Sequence, residues 1–223
     1  MQENMSSWPV VLETHVTNPV ATITELEAAC AFAKRNNLAA VCLLPIFLRK
    51  AKMLLAETDV KLAAVVGFPL GHTAVEAKLA ETLLAIVDGA DDINLHINLT
   101  ALKNNDWQYL AQELNSLLPV IKSKGIVVKI VLETSLLTDD EMIKCCDLYG
   151  IAGVDYIQSS SGYADFASSV EHIRLLRKHL ADAVRIKAAG KMETVKFAEE
   201  LLAAGADRLG MSMEQVVLGM GME

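Results

Sequence analysis

The chain contains little of what membrane-spanning, secreted or nucleic-acid-binding proteins require. Its apolar runs are too short to cross a bilayer, and residues 1–7 lack the basic and apolar regions of a signal peptide. Acidic residues outnumber basic ones, giving a net charge of -8 and a pI near 5.2. A nucleic-acid partner requires a positive surface instead. We therefore expect a cytoplasmic protein with neither a nucleic-acid nor a membrane partner.

Cysteine and histidine are also scarce, and their spacing is not that of a metal site. The four cysteines form no C-x-x-C pair, and the five histidines show no zinc-like spacing with acidic residues. The sequence predicts reduced, buried thiols, no metal ion and no other cofactor.

Hydrophobic residues make up 52% of the 223 residues, which is enough for a large core. Short apolar or alternating segments begin near residues 10, 39, 62, 92, 127, 154, 184 and 207, and each precedes a longer stretch with helical periodicity. The alternations continue without a linker rich in proline, glycine or serine. They predict an α/β fold, a single (β/α)8 TIM barrel domain over residues 1–223.

Six helices are the clearest, over residues 24–36, 74–88, 107–123, 138–150, 167–180 and 193–204. Thr24 and Glu27 have the spacing of a capping box, and Thr138 precedes three acidic residues as an N-cap would. Glycine follows several of these helices, where it commonly ends a helix.

Side-chain alternation predicts a polar interior in the second half of the barrel. In the fourth strand Ile93, Leu95 and Ile97 share one face, so the opposite, polar face is expected to point inward. The inward residues of strands four to seven are then Asn94, His96 and Asn98; Lys129, Val131 and Glu133; Tyr156, Gln158 and Ser160; and Arg185, Lys187 and Ala189. Because buried polar groups require partners, we expect either an internal hydrogen-bond network or a ligand site here.

Lys187 is distinctive because it ends a buried apolar strand just before the small residues 188–190. Burial and a neighbouring positive charge lower the pKa of an amine, and a neutral amine attacks aldehydes and ketones to form a Schiff base. The position also suits a lysine that only binds an anion or a carboxylate. Carbonyl chemistry and anion binding are both open interpretations of Lys187.

Turns of small residues follow the last three predicted strands, at residues 159–162, 188–190 and 209–212. Backbone N–H groups in such turns and at helix N-termini bind phosphate, and barrels often place a phosphate beyond strands seven and eight. These turns therefore favour a phosphorylated small molecule as ligand, and the family resemblance described below implies a phosphorylated sugar or aldehyde. The predicted phosphate-binding residues are Gly162, Gly190, Gly210 and Ser212.

The chain resembles the deoxyribose-phosphate aldolase family of class I aldolases over nearly its whole length. The resemblance is carried by residues 65–71 (VVGFPLG), 98–103 (NLTALK) and 128–134 (VKIVLET), and by the three small-residue turns. It implies a (β/α)8 barrel that reversibly joins acetaldehyde to glyceraldehyde 3-phosphate. It also implies a Schiff-base lysine on strand six, a second lysine on strand seven and an aspartate on strand four.

Position by position, only one of these three ionisable residues is matched. The second lysine corresponds to Lys187, whereas the Schiff-base lysine corresponds to Gln158 and the aspartate to Asn94. An amide nitrogen cannot form an imine, and an asparagine can orient a water but cannot transfer a proton as a carboxylate does. The candidate catalytic residues are Lys187, Asn94, Gln158, Lys129 and Glu133.

Three functions are compatible with these residues, and a homodimer is compatible with each. The first is a carbon–carbon lyase acting on 2-deoxyribose 5-phosphate or a similar sugar phosphate, with Lys187 as the imine-forming amine. In it Lys129 lowers the pKa of Lys187, and Glu13 or Glu133 transfers protons. The second is a proton transfer beside the carbonyl of a phosphorylated compound, with His96 or Glu133 as base. The third is a non-catalytic or regulatory barrel that binds a sugar phosphate or a partner subunit.

Overall fold

A computed structural model describes residues 8–163, 168–192 and 194–220, and its eight parallel strands close into a barrel. The strands are β1 (Leu12–Val16), β2 (Ala40–Leu43), β3 (Lys61–Val66), β4 (Asp92–His96), β5 (Val127–Val131), β6 (Tyr156–Gln158), β7 (Arg185–Ala189) and β8 (Arg208–Met211). Each strand pairs with the next along the chain, and β8 pairs with β1. The predicted (β/α)8 fold is confirmed, and every predicted strand start lies within two residues of the observed one.

Helices cover the outside of the barrel. They are α1 (Ile23–Asn36), α2 (Leu48–Leu54), α3 (Val75–Val87), α4 (Leu99–Lys103), α5 (Trp107–Ser123), α6 (Asp139–Ile151), α7 (Val170–His179), α8 (Val195–Ala203) and α9 (Met213–Met220). The predicted starts of the fifth and sixth helices, at residues 167 and 193, lie outside the described residues. The described parts of α7 and α8 are N-capped by Ser169 and Thr194.

The first capping box lies two residues earlier than predicted. Glu25 Oε2 accepts a hydrogen bond from the Thr22 backbone N–H at 2.6 Å, and the Thr22 hydroxyl accepts one from the Glu25 N–H. The prediction of Thr24 and Glu27 was wrong because the segment TITELE contains two overlapping T-x-x-E repeats. The earlier start adds the backbone hydrogen bond from Leu26 N–H to Thr22 C=O.

The apolar core lies between the barrel and the helices, and the polar strand residues point into the barrel. Ile93, Ile157 and Ile186 are fully buried on the outward face of their strands. In the parallel register Gln158 is the partner of Lys187. The alternation predicted from the sequence therefore places these two polar side chains next to each other inside the barrel.

The four thiols agree with the sequence analysis. All four cysteines are free and buried, and burial raises the pKa of the Cys42 thiol to about 11. Within the described ranges, each helix is too short or too polar to span a membrane.

Candidate active site

A network of buried charges fills the barrel around Glu13 on β1. The Glu13 carboxylate contacts the amines of Lys187 and Lys129, with Lys129 Nζ 2.7 Å from Glu13 Oε2. Lys129 Nζ also lies 2.7 Å from Asp92 Oδ2. The Arg208 guanidinium lies 3.6 Å from Glu13 and 3.5 Å from Asp92. Two carboxylates therefore face three cations in a region almost without solvent access.

This network determines which cation loses a proton most readily. Burial opposes ionisation of Glu13, but the three surrounding cations hold its pKa well below the usual range. Burial lowers the pKa of Lys187 although the Glu13 carboxylate opposes the shift, and the charge of Lys129 lowers it further. Two carboxylates hold the pKa of Lys129 above its ordinary value despite burial, and arginine keeps its proton. Lys187 is therefore the cation best able to become a neutral amine.

A small inner cavity lies at the end of the Lys187 side chain. Its volume is about 10 Å³, which is room for about one water molecule. It brings together three of the predicted catalytic residues, Lys187, Asn94 and Gln158. The other lining residues are His15, Thr17, Cys42, Val65, Phe68, His96, Ser161, Ala189 and Gly210. A substrate carbonyl can reach Lys187 only if lining side chains move.

Asn94 and Gln158 each present an unpaired oxygen in this region. Asn94 Nδ2 donates to Cys42 Sγ at 3.2 Å, and Gln158 Nε2 donates to the Ser160 carbonyl at 2.6 Å. The buried oxygens Asn94 Oδ1 and Gln158 Oε1 have no hydrogen-bond partner among the residues that the structure describes. Both can accept a hydrogen bond from an O–H or N–H group of a ligand.

Gly210, one of the predicted phosphate-binding residues, lies beside Lys187. A Cβ atom at Gly210 would be 2.8 Å from Lys187 Cε and from Ala189 Cβ. Because real Cβ atoms do not approach other atoms so closely, glycine at this position leaves the space that the Lys187 side chain occupies.

A larger outer cavity of about 420 Å³ opens next to the inner one. His15, Thr17 and Phe68 line both cavities. The Phe68 ring packs edge-on against His96, at 5.3 Å between centroids, and against Tyr163, at 5.8 Å. Phe68 therefore stands between the outer cavity and the lysine.

Two of the four predicted phosphate residues, Gly162 and Ser212, line the outer cavity. The Gly162 N–H donates to the Ser160 hydroxyl at 3.2 Å, and the Ser212 N–H donates to the Gln215 side-chain oxygen at 2.8 Å. A phosphate at these turns has to replace these internal acceptors.

Gly190 lines neither cavity but is adjacent to the same turn, since a Cβ on Gly162 would lie 3.7 Å from Gly190 Cα.

The charges near the outer cavity do not favour an anion. Glu25 and Glu214 line it, and the lining that the described residues form includes no lysine or arginine. Any phosphate site here must depend on backbone N–H groups.

Lys129 and Glu133 are not among the lining residues of either cavity. Glu133 follows β5 with a left-handed backbone and accepts hydrogen bonds from Ser160 Oγ at 2.9 Å and from the Ser161 N–H at 2.7 Å. Burial raises the pKa of Glu133, although these hydrogen bonds oppose the shift. Its contacts hold the turn after β6, and a catalytic role for Glu133 stays a prediction.

Sequence reasoning missed His15 and Phe68 as lining residues. Burial and the charge of Lys187 lower the pKa of His15 to about 4, and burial lowers that of His96 to about 3, so both rings are neutral near pH 7. His15 is two residues beyond Glu13 on β1, and this spacing places the two side chains on the same face of the strand. Within the described parts of the chain, no three His, Cys, Asp or Glu residues are arranged to hold a metal ion.

Comparison with known proteins identifies relatives of this site. A family model described as DeoC/LacD family aldolase matches residues 11–214. The chain is 36% identical to a deoxyribose-phosphate aldolase of Thermoanaerobacter pseudethanolicus over 91% of each chain. It is 39% identical to that of Thermococcus gammatolerans over 87% of each. The tetrameric deoxyribose phosphate aldolase of Aeropyrum pernix superposes with a TM-score of 0.87 at 25% identity, covering 96% of this chain and 90% of the other.

Proposed function

This chain belongs to the DeoC/LacD family of aldolases, and we propose that it is a carbon–carbon lyase in which Lys187 forms the imine. The observation that carries the proposal is the position of Lys187. Among the described residues it is the lysine that lines the inner cavity, and it is the network cation whose pKa is lowered. We propose 2-deoxyribose 5-phosphate, or a similar sugar phosphate, as the substrate, because the relatives named above act on deoxyribose phosphate.

The first half of the reaction forms the imine. Neutral Lys187 Nζ attacks the carbonyl carbon, and a proton passes from that nitrogen to the carbonyl oxygen to give a carbinolamine. Asn94 Oδ1 or Gln158 Oε1 accepts a hydrogen bond from the new hydroxyl, which takes up one proton from solvent and leaves as water, so that the iminium forms. The Glu13 carboxylate stays ionised and stabilises the positive charge of the iminium nitrogen.

The second half breaks the carbon–carbon bond. A base removes the proton of the substrate hydroxyl next to that bond, the bond's electron pair moves toward the iminium, and an aldehyde leaves. The imidazoles of His15 and His96, both in the cavity lining, are neutral near pH 7 and can accept that proton, and their lowered pKa values make them weak bases that return it readily to the enamine. Protonation of the remaining enamine and hydrolysis of the imine then release the second aldehyde and regenerate Lys187.

One observation favours a second function, the binding of a sugar phosphate without catalysis. The inner cavity holds about one water molecule, and its two amides carry no ionisable group at the positions where the family resemblance implies a lysine and an aspartate. In this case Lys187 contributes only its positive charge.

Acetaldehyde release from 2-deoxyribose 5-phosphate tests the proposal. The wild type should release the aldehyde, Lys187→Met and Lys187→Arg should not, and the exposed-lysine control Lys196→Met should match the wild type. Release that persists in Lys187→Met would rule out the imine. If the wild type releases no aldehyde but calorimetry detects sugar-phosphate binding, the second function is correct.

A further inference from the structure

A buried ion pair joins helices α3 and α5. Lys78 lies on α3 and Glu113 on α5, and Lys78 Nζ is 2.6 Å from Glu113 Oε1. Lys78 has no solvent exposure, and Glu113 is 2% exposed. Neither is among the described residues that line the inner or the outer cavity. The imine chemistry proposed above uses neither side chain.

Stability alone does not explain this pair. Burial lowers the pKa of the Lys78 amine and raises the pKa of the Glu113 carboxyl, although the charge of each partner opposes the shift of the other. A buried ion pair is often no more stabilising than apolar side chains of similar volume. A fully enclosed lysine therefore points to a further contact, one that an apolar residue could not make.

That contact is with the end of β4. Besides its contact with Glu113, Lys78 Nζ donates a hydrogen bond to the His96 backbone carbonyl at 2.8 Å. His96 is the last residue of β4 and lines the inner cavity. Lys78 therefore fixes the backbone of a residue whose imidazole is a candidate base in the proposed reaction.

Helix α3 also holds the turn that carries Phe68. We call residues 67–71, which follow β3, the Phe68 turn. Glu81, three residues after Lys78 and on the same side of α3, accepts a hydrogen bond from the Gly67 N–H at 2.7 Å. Gly67 has a left-handed backbone, and a Cβ there would be 2.7 Å from Lys78 Cε. The methylene stem of Lys78 packs directly against the first residue of the turn.

The Phe68 turn and His96 also contact each other. The His96 ring hydrogen-bonds with the Pro69 backbone, where the carbonyl is the available acceptor, and packs edge-on against the Phe68 ring. The Gly71 N–H closes the turn by donating to the Gly67 carbonyl at 2.7 Å. A shift of either anchor therefore moves the rings that stand at the inner cavity.

We propose that Lys78 is a positioning residue for the active site. Its amine holds the His96 backbone and its stem supports Gly67, so that the His96 imidazole and the Phe68 ring keep their places at the inner cavity. Lys78 acts through these residues and does not itself meet the substrate. The effect on catalysis rests on the proposed function, whereas the effect on the shape of the cavity does not.

The reactivity of Cys42 measures the state of the inner cavity without any catalysis. Cys42 is a free thiol that lines this cavity together with Phe68, and Cys145 is a free thiol buried on α6. The full chain is treated with methyl methanethiosulfonate, and the labelled cysteines are mapped by peptide mass. The double variant Lys78→Met with Glu113→Leu, which removes both charges together, should label Cys42 about 10-fold faster than the wild type. Cys145 should label at an unchanged rate.

Glu113→Gln is the matched control, because it removes the ion pair and leaves the Lys78 amine on the His96 carbonyl. Cys42 should label in this variant at the wild-type rate. Fast labelling of Cys145 would reveal general unfolding, and a second apolar pair, Lys78→Leu with Glu113→Met, then takes the place of the first. Unchanged labelling of Cys42 in a folded double variant, or equally fast labelling in Glu113→Gln, would overturn the positioning role.

The kinetics of aldehyde release test the catalytic part of the inference. In the double variant kcat for 2-deoxyribose 5-phosphate should fall roughly 10- to 100-fold with KM nearly unchanged, because a displaced base slows the chemical step while the outer cavity still binds the substrate. An unchanged kcat would overturn the role of Lys78 in catalysis. A wild type that releases no aldehyde would contradict the proposed function instead, and the labelling of Cys42 would then decide alone whether Lys78 shapes the cavity.

Discussion

The Glu13 network and the inner cavity lie in the same barrel, share Lys187 and differ in how their polar groups are satisfied. In the network each carboxylate contacts at least two cations. In the cavity two amide oxygens, Asn94 Oδ1 and Gln158 Oε1, find no partner within the described ranges of the chain. The charged groups of the network are therefore paired with one another, whereas the lining of the inner cavity presents neutral acceptors. Lys187 belongs to both regions. The charges of the network shift the pKa of its amine, and the same side chain lines the inner cavity.

The largest loss of unfolding free energy should come from removing Glu13, the central carboxylate of the network. Glu13→Gln leaves Lys187 without a carboxylate and Lys129 with Asp92 alone, and breaking such a buried pair costs about 3–5 kcal/mol. Urea unfolding should show this loss. Glu214→Gln, which removes an exposed carboxylate at the outer cavity, should change the unfolding free energy by less than about 0.5 kcal/mol. Equal effects of the two variants would show that the network does not stabilise the barrel.

An added amine in the cavity should produce the next largest effect. Gln158→Lys places a second lysine beside Lys187, and each positive charge then lowers the pKa of the other. A lowering by ~2 units raises the neutral fraction of an amine about 100-fold, so cleavage of 2-deoxyribose 5-phosphate should accelerate by a similar factor. Gln158→Met is the control that changes the side chain without adding an amine. An unchanged rate in Gln158→Lys would mean that position 158 does not reach the reacting carbonyl.

As the pH falls, the protein should lose stability through His96 in the cavity lining before the Glu13 carboxylate of the network is protonated. His96 has a folded-state pKa of about 3 against an ordinary value of 6.5, so the unfolded chain binds its proton first as the pH falls. The unfolding free energy should therefore decrease from about pH 6.5 downward, by about 2 kcal/mol from His96 at pH 5. His15, which is partly exposed, should contribute less, and Glu13 stays ionised throughout this range because its pKa is held low. His96→Asn should flatten the curve of unfolding midpoint against pH, and an unaltered curve would contradict the assignment.

The smallest change in stability should follow from replacing the cavity amides. Asn94→Leu and Gln158→Met each remove an unpaired buried oxygen together with a single hydrogen bond from the amide nitrogen. Because an unsatisfied buried acceptor is unfavourable, each variant should change the unfolding free energy by less than about 1 kcal/mol. A loss of unfolding free energy near that of Glu13→Gln would show that the cavity amides stabilise the barrel as much as the network does.

The sequence alone predicts the barrel and the inward polar residues because both depend on local periodicity. Alternation along a strand determines which face a side chain takes, and it brought Asn94, Gln158 and Lys187 to one cavity. The same argument fails where several local patterns are equivalent, as at the two overlapping capping boxes before α1.

Contacts across the barrel could not be predicted in this way. Glu13 and Lys187 are 174 residues apart, and their meeting depends on barrel closure and strand tilt rather than on any local pattern. Glu133 has the inward parity but turns away at the strand end, because its left-handed backbone directs the carboxylate to Ser160 and Ser161. The place of Phe68 between the two cavities likewise follows from its ring contacts with His96 and Tyr163.

The most direct test of the central claim, that Lys187 carries carbonyl chemistry set by the Glu13 network, is intact-mass spectrometry after borohydride reduction. The protein is incubated with acetaldehyde and, separately, with 2-deoxyribose 5-phosphate, alongside Lys187→Met and Lys196→Met. We predict one adduct in the wild type and in Lys196→Met, mapped to Lys187 by peptide analysis, and none in Lys187→Met. No adduct in the wild type, under conditions that trap an active class I aldolase, or an adduct that persists in Lys187→Met, would contradict the account.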